Sequence, residues 1–135
     1  MSQKAKGKLL LAISEPNLRI SLCHLLKKKD FVVLNASDGA KALDQIQREQ
    51  DLDLLLLDRS LPSLSALELL ASLKERGALV DFVFLTTQQA DSQSLKALQL
   101  HPILSYSLPV SPQEVAAQVE KIISLRRQSM LSSIA

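Results

Sequence analysis

The sequence predicts an α/β protein made of five strand–helix units, a doubly wound parallel sheet with helices on both faces and right-handed crossovers. Three observations lead to it. Five short apolar runs recur along the 135 residues, each near-continuously apolar, as suits strands covered on both sides. Longer segments between them return their apolar residues at helical spacing. The length allows one domain with a sizeable core and leaves no room for insertions.

The elements follow in order. Leu9–Ile13 leads into a helix over Pro16–Lys28, with Leu18, Leu22, Leu25 and Leu26 on one stripe. Phe31–Leu34 is followed, after Ser37-Asp38-Gly39, by a helix in which Ala42, Leu43 and Ile46 recur. Leu54–Leu57 precedes a helix carrying Leu64, Leu67, Leu69, Leu70 and Leu73, which Gly77 can stop. Val80–Leu85 comes before a helix over Asp91–Leu100, and Ile103–Leu108 before the last one. That last helix has the clearest start signal, Ser111-Pro112-Gln113-Glu114. The serine can accept from exposed amides, proline suits the first helical position, and the glutamate can complete a capping box. Val115, Val119, Ile122 and Ile123 form its buried stripe, and the helix can run on past Arg126-Arg127 toward Met130 and Leu131. The expected folded unit is 8–125. Residues 1–7 are expected to fray, and 126–135 to be the helix end, a tail or a linker.

Composition excludes several classes. With 47% hydrophobic and 22% charged residues, 3 Gly and 5 Pro, the chain is neither disordered nor fibrous. Cys23 stands alone, which rules out an intramolecular disulfide framework and a multi-cysteine metal site; it reads as a small buried hydrophobe in a reducing compartment. Aromatic residues are too few for base-stacking platforms. No apolar stretch approaches the roughly 18 residues of a membrane span, and the run after Lys4, Lys6 and Lys8 is too short for a signal core. A cytoplasmic protein without membrane contact is therefore expected. The net charge of +2 is unevenly placed: residues 1–29 carry seven Lys/Arg against one Glu (7 − 1 = +6), and the remainder nine against thirteen (9 − 13 = −4). These lysines read as a solvated terminus and a helix end. No helix-turn-helix segment follows the last helix, so direct nucleic-acid binding is not expected. Gly-rich phosphate loops, nucleophile elbows and zinc-ligand spacings are missing, which argues against an enzyme.

In open α/β sheets ligands sit beyond the carboxyl ends of the strands. That singles out Ser14, Glu15, Asn35, Asp58, Arg59, Thr86, Thr87, Ser107 and Leu108. Asp58 has the sharpest context, ending four leucines and opening a Ser-Leu-Pro loop. Such a carboxylate can be a nucleophile, a metal ligand or a cap, and position alone favours a cap or an exposed surface group.

The surroundings point further. Leu54-Leu55-Leu56-Leu57-Asp58-Arg59-Ser60-Leu61-Pro62-Ser63-Leu64-Ser65-Ala66-Leu67-Glu68-Leu69-Leu70 resembles the phosphoacceptor region of bacterial response-regulator receiver domains. Leu11-Ala12-Ile13-Ser14-Glu15-Pro16-Asn17-Leu18-Arg19 is similar to that family's first strand and loop, Val83-Phe84-Leu85-Thr86-Thr87 to its fourth strand, and Tyr106-Ser107-Leu108-Pro109-Val110 to the segment that usually ends Lys-Pro-Phe. The resemblance spans about Lys8 to Leu125. It implies a flavodoxin-like (βα)5 fold with strand order 2-1-3-4-5, and Asp58 at the phosphoacceptor position.

The same resemblance implies a degenerate site. The family's acidic pair falls on Ile13 and Ser14; the first cannot bind a cation, and the second offers a neutral hydroxyl expected to cap the helix at Pro16. The family's lysine falls on Leu108, which cannot pair with a phosphoryl group. Thr86 retains the phosphoryl-sensing position. The switch aromatic falls on Ser105, with Tyr106 one residue later. Alternation turns Tyr106 the other way unless His101-Pro102 slips the register. Loop Asp-Gly has become Ser65-Ala66. The expectation is a pseudo-receiver without catalytic residues, in which Mg2+ binding is lost or weak and Asp58 is an unremarkable exposed carboxylate. It would dock signalling proteins or a second copy of itself through the fourth helix, fifth strand and fifth helix. The alternative is a receiver still phosphorylated on Asp58 by a partner histidine kinase.

Overall fold

The computed structural model describes residues 5–49, 51–86 and 90–134, with 90–92 and 127–134 described as helical backbone. The apolar runs form β1 (Gly7–Ala12), β2 (Phe31–Ala36), β3 (Leu54–Asp58), β4 (Phe82–Thr86) and β5 (Leu104–Ser107), joined by α1 (Pro16–Lys28), α2 (Gly39–Arg48), α3 (Ala66–Glu75), α4 (Ala90–Ala97) and α5 (Pro112–Ile134). All pairings are parallel, in the order β2-β1-β3-β4-β5. This is the flavodoxin-like order the resemblance implies.

The leucine runs fill two cores because successive strand residues point to opposite faces. Leu10, Leu55, Leu57, Phe82 and Phe84 pack beneath α2, α3 and α4. Leu9, Leu11, Leu54, Leu56, Val83 and Leu85 pack beneath α1 and α5, against Leu22, Leu26, Val115 and Val119. The inner strands are near-continuously apolar, with polar or small residues only at their ends: Gly7 and Lys8 in β1, Asp58 in β3 and Thr86 in β4. The edge strands alternate, with Val32 and Asn35 exposed on β2 and Ser105 and Ser107 exposed on β5. β2 still contributes to both cores, Phe31 and Val33 on one face and Leu34 and Ala36 on the other.

Helix ends follow local chemistry, with one correction. The cap of α1 is Glu15, whose carboxylate accepts from the amides of Asn17 (3.0 Å) and Leu18 (2.6 Å); Ser14 does not cap it. Asp38 caps α2 by accepting from Lys41 N at 2.8 Å, and Ser65 caps α3 by accepting from Glu68 N at 3.2 Å. Leu64 thus stands outside α3, packed against the core from the loop. Gly77 does end α3: at φ 67° it lets Ala78 N donate to Leu73 O at 2.9 Å. Ser111 Oγ accepts from Glu114 N at 3.4 Å and donates to Gln113 Oε1 at 3.1 Å.

Lys6 N donates to Asp30 O at 2.8 Å, β1 starts at Gly7, and α5 continues to Ile134. Lys4 and the side chains of Arg127, Met130 and Leu131 lie outside the described residues. Part of the charge imbalance along the chain is resolved in space. Lys6 and Lys29 both donate to the Glu120 carboxylate (2.5 and 3.2 Å), and Lys8 pairs with Glu49 (3.0 Å) and Asp51 (2.8 Å). Basic residues of the first segment therefore meet acids of later ones at the amino ends of the strands.

These pairs set a pH dependence. The hydrogen bond from Lys6, then that from Lys29, holds the Glu120 carboxyl below its ordinary value of 4.5. A depressed carboxyl stabilises the fold above its unfolded value, and that contribution is lost as pH falls through the folded one. Glu120→Gln is expected to flatten the acid limb of urea-unfolding stability below about pH 4.5, and to change stability near neutrality by no more than about 1 kcal/mol. An unaltered acid limb would show that the pairs do not persist in solution.

Candidate functional site

Asp58 ends β3 at the carboxyl edge of the sheet, in register with Leu85 of β4. It is 4% exposed, which corrects the expectation of an exposed group. Burying a carboxylate is costly unless its oxygens are hydrogen-bonded, and here both are. Ser14 Oγ donates to Oδ2 at 2.8 Å, and the Ser60 amide donates to Oδ1 at 3.0 Å. The second bond is a local Asx turn, legible in principle from Asp58-Arg59-Ser60. The first crosses from the β1–α1 loop, and although the resemblance places Ser14 and Asp58 at one end of the sheet, no local spacing signals the bond. Ser14 is not the helix cap because Glu15, one residue later, already accepts the first free amides of α1.

The β1–α1 loop is held in this position. Ile13 N donates to Ala36 O at 3.3 Å, and Ile13 is fully buried in the core beneath α1 and α5. Arg19, one turn into α1, turns its guanidinium back onto the carbonyls of Ile13 (2.7 Å) and Ser14 (3.4 Å). Sequence reasoning missed Arg19; a cation one turn after the loop was the available signal.

The remaining candidates do not converge. Thr86 ends β4 half-buried and pairs with Ser107, whereas Tyr106 pairs with Leu85. The pleat therefore sends Thr86 and Tyr106 to opposite faces, and no register slip brings them together. Tyr106 packs instead on the α1 and α5 side, where burial, and then the nearby Glu114 carboxylate, push its phenol above the ordinary value. Ser105, at the position of the switch aromatic, is exposed. Leu108 N donates to Thr86 O at 2.9 Å, and its side chain joins the α1 and α5 core, bordering a groove of about 420 Å3 shared with Leu18, Val110 and Pro112. Cys23 is half-buried and its Sγ accepts from Asn35 Nδ2 at 3.3 Å. Thr87 lies outside the described residues.

A hard dication such as Mg2+ keeps several waters and is held by oxygen ligands that include one or two free carboxylates. The residues beside Asp58 do not fit one: Ile13 is aliphatic, Ser14 is a neutral hydroxyl already bonded to Asp58, and both Glu15 oxygens are taken by α1 amides. What the arrangement can do is hold one buried carboxylate on neutral donors.

Comparison with known proteins agrees with the fold. The family profile described as the response regulator receiver domain matches residues 10–120. The alkaline phosphatase synthesis transcriptional regulatory protein PhoP of Bacillus subtilis is 29% identical over 116 residues, which are 86% of this chain and 48% of that protein. The chain thus spans about half the length of that relative. Sporulation initiation phosphotransferase F, also of Bacillus subtilis, is 24% identical over 119 residues, 88% of this chain and 95% of that one. The Francisella response regulator 1452 receiver domain superposes with a TM-score of 0.76 at 19% identity, covering 90% of this chain and 98% of its own. No helix among the described residues is long and apolar enough to cross a membrane.

Proposed function

The chain belongs to the response regulator receiver domain family of two-component signalling, and from that membership we propose that it is a pseudo-receiver: a non-enzymatic, phosphorylation-independent protein-interaction module of the cytoplasm. The observation that carries this reading is the bond from Ser14 Oγ to Asp58 Oδ2, a neutral donor at the place where a receiver puts a second carboxylate and its cation. Phosphoryl transfer to a carboxylate brings anions together and depends on positive charge to offset them. Ile13 and Leu108 are aliphatic where that charge would be bound or supplied, so Mg2+ binding is lost or weak and Asp58 serves the fold. Docking then occurs constitutively, on signalling proteins or a second copy, through α4, β5 and α5. Neither nucleic acid nor membrane is bound directly.

Incubation with acetyl phosphate and Mg2+ is expected to leave the full chain unlabelled. A hydroxylamine-labile phosphate that disappears in Asp58→Ala would overturn the proposal. It would favour the second reading, phosphorylation on Asp58 by a partner histidine kinase, which the retained Asp58 and Thr86 support. For the docking face, Leu98→Asp combined with Ser107→Arg is expected to weaken self-association or partner recovery at least about tenfold. Unchanged association would reject that face.

A further inference from the structure

The helix α4 is thinly anchored. Among its described side chains Leu95 alone is buried, Leu100 follows just beyond the helix, and Leu98 is 42% exposed. At its carboxyl end α4 stands off from α3 across a cleft of about 490 Å3, lined by Ala71, Lys74, Glu75, Ala97, Leu98 and Gln99. The alanines offer no long side chain to fill it. Lys74, in the last turn of α3, spans it instead: Nζ donates to the carbonyls of Leu98 at 2.9 Å and Gln99 at 3.0 Å.

Those carbonyls lie where α4 unwinds. Leu98 N still donates to Ser94 O (3.2 Å), Gln99 N turns back to Lys96 O (3.0 Å), and Leu100 N reaches Leu95 O (2.8 Å). Gln99 achieves this at φ 56°, a left-handed conformation that is unfavourable for a residue with a side chain. A helix carboxyl end presents unpaired carbonyls and the negative end of the dipole, so an ammonium there supplies both hydrogens and charge. Three residues after Leu100, Ile103 N donates to Phe82 O at 2.8 Å, just before β5 begins. The carbonyls that Lys74 holds therefore lie on the short path joining α4 to β5.

We propose that Lys74 is a positioning residue, a clamp from α3 that sets how α4 sits beside β5. The consequence for docking rests on the α4–β5–α5 reading above, whereas the clamp itself does not. Two variants of the full chain test it. Lys74→Met keeps the aliphatic stem without the donors, and Lys74→Arg keeps donors. Hydrogen exchange followed by mass spectrometry is expected to show the Leu98–Leu100 amides exchanging about five-fold faster in Lys74→Met and near the native rate in Lys74→Arg. Self-association by sedimentation should weaken only in the methionine variant. Unchanged exchange in Lys74→Met would overturn the clamp, as would equal acceleration in both variants, because Lys74→Arg keeps the donors. Acceleration confined to Lys74→Met with unaltered self-association would support the clamp and show that self-association does not depend on it.

Discussion

Ser14→Asp is expected to lower the thermal midpoint by roughly 5–10 °C at neutral pH without divalent cations, and millimolar Mg2+ should return much of that loss. The native hydroxyl stabilises a carboxylate that is 4% exposed, through a 2.8 Å bond to Oδ2. An aspartate there removes the donor and sets a second anion against the first. Losing a buried group's donor costs about 1–3 kcal/mol, to which like-charge repulsion adds. Two carboxylates in one pocket raise the proton affinity of the pair, so the variant's stability should fall as pH rises through the raised value and recover on acidification. A cation held between them does the same work as the proton. Scanning calorimetry with and without Mg2+ checks it. A native-like midpoint insensitive to Mg2+ would mean that the bond between Ser14 and Asp58 contributes little and that the new side chain turns to solvent.

Gly39→Ala should be the more damaging substitution for the fold alone, by about 3 kcal/mol or more, or a midpoint lower by about 10–15 °C. Gly39 opens α2, and a Cβ on it would lie 1.8 Å from the carbonyl oxygen of Leu64 and 2.7 Å from its carbon. Backbone, not a flexible side chain, stands in the way. The two segments are also bonded, Gly39 N to Pro62 O at 3.0 Å, so the α2 start and the β3–α3 loop are pressed together. Making room means moving the β3–α3 loop that follows Asp58 and contains Ser60. A denaturation midpoint within about 2 °C of native would show that the loop yields easily and that this close approach is not a constraint.

Much of this was legible. The five runs, the helix over Pro16–Lys28, the stop at Gly77 and the start at Ser111 depend on neighbours a few residues apart, and such signals survive in one dimension. The family resemblance likewise rests on contiguous motifs, and it located Asp58, Ile13, Ser14 and Leu108 at one end of the sheet. Gly39 illustrates the limit: Ser37-Asp38-Gly39 reads as a helix start, but the reason for glycine is a carbonyl 25 positions away.

By itself, then, the sequence determined the strand–helix alternation, the doubly wound class and the chemical types at the strand ends, because apolar periodicity and capping are local. The tertiary structure decided which polar groups meet. Ser14 and Asp58 are 44 positions apart, and Lys6 and Glu120 are 114. Parallel pairing in a fixed register brings them together, and the same register turns Tyr106 away from Thr86. That is why Asp58 reads as an exposed, solitary carboxylate along the chain, yet is buried and fully bonded in the fold: its principal donor arrives only when β1 lies beside β3.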